Sequence, residues 1–208
     1  MNRCIMIFTL AIVGTTASIA STVFEAAVTN ALTNKSCLVD DGFTNYVHQC
    51  ASQSTNAEMA LTANVVLGIS RLEMFDQTPD APILDMAFQS VSNALSSAVL
   101  VPDRWQYWHM QLLHVSCMNT ANDVQGAYHI ASNAWDIVQS SGFQGSTNVV
   151  SQALMRYYGI GDDVSIKAAV ALYKALSAAA VGKHEETHAL KSYLPERLKQ
   201  RMERFLDD

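Results

Sequence analysis

His184-Glu185-Glu186-Thr187-His188 spells H-E-x-x-H, the stretch of this chain whose residue types and spacing come nearest to a reaction centre. On a helix the two histidines stand one turn apart on one face. Both could then ligate one Zn²⁺ while Glu185 polarises a metal-bound water, the chemistry of a zinc-dependent hydrolase. The surroundings suit that chemistry poorly. A catalytic metal needs a dry, shaped cavity and oriented partners, yet Lys183 precedes the motif, Glu186 takes an inner position, and Gly182 puts the motif at a helix start. No third histidine follows, and Glu196 or Glu203 would have to fold back past Pro195 to complete the ligand set. Read as a helix start, the same letters put Glu185 and Glu186 in the first turn, where carboxylates favour the positive end of the helix dipole. That reading needs no cofactor.

Other residues with chemical potential are scattered. Cys37 and Cys50 bracket a short polar loop, and a disulfide closing a loop of that size would stabilise an exported chain by about 3 kcal/mol. Cys117 lies in an apolar helical run and reads as a small buried hydrophobe, and no C-x-x-C spacing occurs for zinc. Trp105, Tyr107 and Trp108 with His109 and His114 form the densest aromatic group; a bulky helix start of this kind is core more often than a ligand groove. His48 and His129 fall in separate segments, and Gly-x-Ser-x-Gly is absent, so serine hydrolysis has no sequence support. Asn34-Lys35-Ser36 matches a glycosylation acceptor.

These residues sit on a chain of 208 residues, half of it hydrophobic, long enough for one domain with a sizeable core. A net charge of −6 argues against a nucleic-acid surface, which needs a dense basic stripe. Residues 1–20 read as a signal peptide: Arg3, then an apolar core too short to span a bilayer, then small residues ending Ser18-Ile19-Ala20. The mature chain is expected to start near Ser21, in a periplasmic or secreted location, with no membrane span after cleavage. Cys4 precedes the apolar core, which is not the place of a lipid attachment.

Beyond the signal the pattern is helical throughout, because apolar residues recur at three- and four-residue steps and no sustained strand alternation occurs. Helical runs are expected at 57–73, 83–100, 105–117, 125–139, 148–158 and 165–180, broken by polar or Gly/Pro clusters. Short loops between them imply antiparallel hairpins. In successive second helices, Ala87, Val91 and Ala94 share their spacing with Ala127, Ala131 and Ala134, and Ala169, Tyr173 and Leu176 repeat it. Starting points about forty residues apart mark stacked helix pairs, and small residues let the helices approach closely. Residues 21–56 form a preceding helical segment carrying the cysteine loop, and 57–208 the repeat domain.

Tyr157-Tyr158-Gly159-Ile160-Gly161, followed by Ala168-Ala169, Leu172-Tyr173 and Ala175, resembles the Sel1-like repeat, a relative of the tetratricopeptide repeat. Leu67-Gly68 resembles the Leu-Gly of a tetratricopeptide first helix. The likeness covers about residues 154–190; the earlier units lack the Gly-x-Gly turn, and Leu172 stands where the family has tryptophan. It implies an all-α fold of stacked antiparallel hairpins, a short α-solenoid, with Gly159, Gly161, Ala169 and Tyr173 as structural motif positions. It also implies a non-enzymatic adaptor or scaffold whose partner is another protein or peptide. The alternative is a small secreted zinc hydrolase using His184, Glu185 and His188; a purely structural exported factor is a third possibility. The last segment places Leu194, Leu198, Met202 and Phe205 on one face and Arg197, Lys199, Arg201 and Arg204 around it. This is the pattern of a C-terminal capping helix, and the element to be covered is the helix at 165–180, apolar on nearly every side.

Overall fold

The computed structural model describes residues 17–96, 103–141, 143, 145, 147–161 and 163–207. Among them are ten α-helices and no strand. In chain order these are α1 (Ala17–Thr33), α2 (Asp41–Gln53), α3 (Ala57–Gln77), α4 (Ala81–Leu95), α5 (Trp105–Thr120), α6 (Val124–Ser140), α7 (Val149–Tyr157), α8 (Ile166–Ala180), α9 (His184–Leu190) and α10 (Glu196–Asp207). The helix runs read from periodicity reappear with their ends moved by a few residues, and residues 97–100 lie outside the described chain. The expected signal peptide also falls mostly outside it, and α1 begins at Ala17, ahead of the expected boundary at Ser21. No described helix is long and apolar enough to cross a membrane.

Helix starts are set by polar side chains in the breaks. Asp40, Asn56, Asp123, Asn148 and Ser165 each occupy an N-cap and accept from backbone N–H groups of the following turn, satisfying donors that an α-helix leaves orphaned. Pro82 lies in the first turn of α4, where its missing N–H costs nothing.

Helix α3 packs against both α2 and α4, and α5 crosses α3 and α4. Contact between α3 and α5 is close at Gly68: a Cβ there would lie 2.5 Å from Leu113 Cδ2, so any larger residue would have to push the Leu113 side chain aside. Helix α5 pairs with α6, and α6 with α8. The contact positions Ala87, Val91 and Ala94 of α4, Ala127, Ala131 and Ala134 of α6 and Ala169 of α8 are all buried, while Tyr173 and Leu176 are partly exposed. Helix α8 is covered by α6, α9, α5 and α10. The C-terminal helix therefore lies on the apolar helix, as its pattern implies. Its buried stripe holds Leu198 and Met202, preceded by Leu194, but Phe205 is 53% exposed. The fourth place on the stripe belongs to Leu206, one helical step on from Met202.

Two expectations are corrected. Cys50 carries a free thiol, so the Cys37–Cys50 disulfide is absent. Cys37 ends the 3-10 turn Lys35–Cys37 ahead of α2, whereas Cys50 lies nine residues beyond Asp41 along that helix. That is roughly 14 Å of axial rise, about twice the Cα separation a disulfide tolerates. Cys37 itself is buried in the core, and burial pushes the Cys50 thiol above its ordinary pKa. Cys117 is a buried free thiol, as expected.

The second correction concerns the Gly-Ile-Gly turn. Gly159 at φ +68 and Gly161 at φ +93 take the left-handed conformations expected of them. The turn does not lay α8 back along α7, however, because α7 packs chiefly on α1 and α5. The turn's own N–H groups cap the end of α7, with Gly159 N donating to Arg156 O and Ile160 N to Met155 O, and α10 holds the carbonyls of the turn itself: Arg201 Nη1 donates to Tyr158 O at 2.8 Å, and Arg197 Nη2 donates to Ile160 O. A Cβ at Gly159 would lie 3.0 Å from Arg201 Nη1. The glycines thus serve two ends, a left-handed turn and room for the arginines of a helix some forty residues later.

Candidate functional site

The H-E-x-x-H residues form the short helix α9, with Glu185 and Glu186 in its first turn. His184, Glu185 and His188 are exposed. The open depression beside them is lined by Gly182, Lys183, His184, Glu185 and Glu186, one stretch of backbone rather than a cavity built from several elements. No cluster of three or more His, Cys, Asp or Glu side chains placed to hold a metal occurs among the described residues. The motif residue that turns inward is Glu186. Its Oε1 lies 2.8 Å from Lys174 Nζ of α8, whose side chain is 9% exposed, and its Oε2 accepts from the Tyr128 hydroxyl of α6 at 2.8 Å. Lys183 Nζ donates to the same Tyr128 oxygen at 2.8 Å and sits over the ring. Burial works to raise the Glu186 pKa, but the hydrogen bonds from Lys174 and Tyr128 outweigh it and hold the carboxyl below the ordinary glutamate range. Buried Thr187 donates to Ala175 O of α8. The motif is therefore fastened to the fold by Glu186 and Thr187, and its histidines are left outside.

The aromatic group at the start of α5 is core, with Trp108 and His109 fully buried and Tyr107 nearly so. The fold adds a pairing that sequence reasoning missed: His109 Nε2 lies 2.9 Å from Ser151 Oγ of α7. No acid completes a triad, since His109 Nδ1 has no partner, and both residues are buried within the helix packing. The imidazole stacks on Tyr158 at a centroid distance of 6.2 Å, and burial drives its pKa down to about 3. A histidine this reluctant to hold a proton is a weak general base.

The low pKa does carry a stability consequence. An unfolded histidine takes its proton near pH 6.5, whereas His109 stays neutral in the folded chain down to about 3. In that window the unfolded state binds more protons, so stability falls with acidification by up to about 1.4 kcal/mol per pH unit. Denaturant midpoints measured from pH 6.5 to 4 should fall more steeply for the native chain than for His109→Phe, which keeps an aromatic ring against Tyr158 and cannot titrate. Equal slopes would show that His109 contributes nothing to the acid sensitivity.

A groove of about 450 Å³ is assembled from several helices, bounded by α2, α3 and α4. Its floor includes buried Leu61 and Leu67, and its walls carry the amides Asn64, Gln89 and Asn93. His48, placed by the sequence among the scattered histidines, lines the α2 side. Arg71 stands at one end, where Nη1 donates to Met86 O at 2.7 Å and to the Ser90 hydroxyl. Burial lowers its pKa from the ordinary arginine value. Neither the half-buried state of Arg71 nor the groove is legible from the sequence. The signal available was a helix face reading Ala60, Asn64, Leu67 and Arg71, at steps of three and four, opposite Met86, Gln89 and Asn93 on the next helix.

Comparison with protein-family models, with curated proteins and with solved structures finds no match to this chain.

Proposed function

We propose that this chain is an exported, non-enzymatic helical scaffold, of the Sel1-like and tetratricopeptide-like kind, that binds another protein through the groove bounded by α2, α3 and α4. The observation that carries the reading is the groove itself: about 450 Å³ of concave surface with an apolar floor and unionised amide walls. Binding sites of this make-up hold apolar side chains on the floor and orient the ligand through a few polar groups. Antiparallel helices joined by short turns, α2 to α3 and α3 to α4, keep the walls at fixed separation, so a partner meets a preformed surface and loses less to ordering it.

A photocrosslinking residue placed at exposed Asn93 in the groove, and separately at exposed His129 on α6, tests this in the producing cells. The Asn93 position should yield one discrete protein adduct that the His129 position does not. No adduct from Asn93, or the same adducts from both positions, would remove the groove as the binding surface.

A further inference from the structure

Arg71 is a half-buried cation with no counter-ion among the described residues. It forms no ion pair, and no aspartate or glutamate lines the groove among the described residues. Its Nη1 is used inside the fold, on Met86 O and Ser90 Oγ, while Nε–H and Nη2–H find no protein acceptor there. That remaining edge of the guanidinium presents two parallel donors, the geometry that matches a carboxylate bidentately. Removing a charge from water without a partner is unfavourable, and burial has already drawn the Arg71 pKa down. A carboxylate arriving in the groove supplies what is missing.

The shape decides which carboxylate. Ala60 and Arg71 both line the groove on α3, eleven residues apart, which is roughly 16 Å along a helix and the length of about five residues of extended chain. Asn64 Nδ2 donates to Ala60 O and Gln89 Nε2 to Asn93 Oδ1, which leaves Asn64 Oδ1, Gln89 Oε1 and Asn93 Nδ2 free to pair with an extended backbone. Arg71 reaches from α3 to the Met86 carbonyl of α4, and these two are the last residues lining the groove at that end of both helices, so their hydrogen bond spans its end. A strand passing through would have to displace it, whereas a strand that stops there does not. We infer that the groove takes the C-terminal segment of a partner chain, about five extended residues with uncharged side chains, whose terminal α-carboxylate pairs with the Nε–Nη2 edge of Arg71. This rests on the groove being the binding surface. The net charge of −6 does not oppose it, because charges beyond roughly 8 Å are screened at physiological salt.

The probes are two pools of N-acetylated pentapeptides made from Ala, Leu, Ser and Asn, one with free C-termini and one amidated, and a third amidated pool ending in Asp. Each is titrated into the isotope-labelled full chain, following the side-chain NMR signals of Arg71, Asn64, Gln89 and Asn93. The free-acid pool should move these signals to saturation, with binding at least roughly tenfold tighter than the amidated pool, as expected for charge-assisted hydrogen bonds. Arg71→Gln should abolish the difference. Arg71→Lys, which keeps the charge without the fork, should retain part of it and serves as the variant of record if Arg71→Gln does not fold. Equal binding of free-acid and amidated pools would overturn the carboxylate anchor while leaving the groove as a peptide site. Equal binding of the free-acid and Asp-ending pools would overturn the chain terminus as the source. Silence at all four side chains with every pool would overturn both the anchor and the groove.

Discussion

Glu186→Ala lowers the unfolding free energy of the chain by about 3 kcal/mol, the lower end of the cost of breaking a buried ion pair by removing one partner. The effect comes from Lys174, which projects from α8 with a side chain 9% exposed and has the Glu186 carboxylate at 2.8 Å. Truncating Glu186 strands that ammonium in low-dielectric surroundings and also removes the acceptor of the Tyr128 hydroxyl. The carboxylate side chain is 30% exposed, so water entering the site recovers some of the loss, which is why the lower end applies. Replacing Lys174 by Met as well should restore much of the stability, since a hydrophobic residue of similar length needs no counter-ion. The outer motif residues behave differently: His184→Ala, Glu185→Ala and His188→Ala each change stability by less than about 0.5 kcal/mol, because they are exposed. Urea denaturation of the four variants separates the readings of this segment. If His188→Ala costs as much as Glu186→Ala, and more so with zinc present, the motif is acting as a metal site.

Leu198→Ala should cost about 3 kcal/mol, within the range measured for buried leucines, and the loss should be concentrated on α8. Leu198 is 1% exposed and belongs to the core cluster, on the helix that packs against α8. The same helix also holds the turn after α7 through Arg197 and Arg201. A cavity under Leu198 therefore loosens two elements that are distant in sequence. Amide hydrogen exchange should show faster exchange along α8 and at the end of α7, with α2 to α4 unchanged. Unchanged protection of α8 in this variant would mean that α10 rests on the fold without holding it, and the capping role would be lost.

How much was legible depended on range. The starts of α2, α3, α6, α7 and α8 follow from Asp40, Asn56, Asp123, Asn148 and Ser165, each acting on N–H groups two or three residues away. The cover over α8 was legible because a helix apolar on nearly all sides needs burial, and the amphipathic tail could provide it. The Cys37–Cys50 bridge was not, since its loop length looks favourable until α2 carries Cys50 away from the turn. Arg71 looks like any arginine in a helix; only the packing of α2 and α4 shows that no carboxylate among the described residues lines the groove beside it. The H-E-x-x-H spelling is ambiguous in sequence for the same reason. Whether Glu186 or the histidines point inward depends on where α6 and α8 lie.

Local signals in the chain specify that it is helical, where five of its ten described helices begin, and which of them needs covering, because capping and amphipathic periodicity are settled by contacts within about a turn. Long-range packing set which helices pair: α7 with α1 and α5 instead of α8, and α10 against α8 and the turn that follows α7. It also sets Lys174 against its glutamate and leaves half-buried Arg71 with no carboxylate beside it among the described residues. Those outcomes turn on which apolar faces, tens of residues apart, bury one another best. That competition has no local signature, yet it is what separates the inward Glu186 of the motif from its exposed histidines and leaves a cation waiting at the end of a groove.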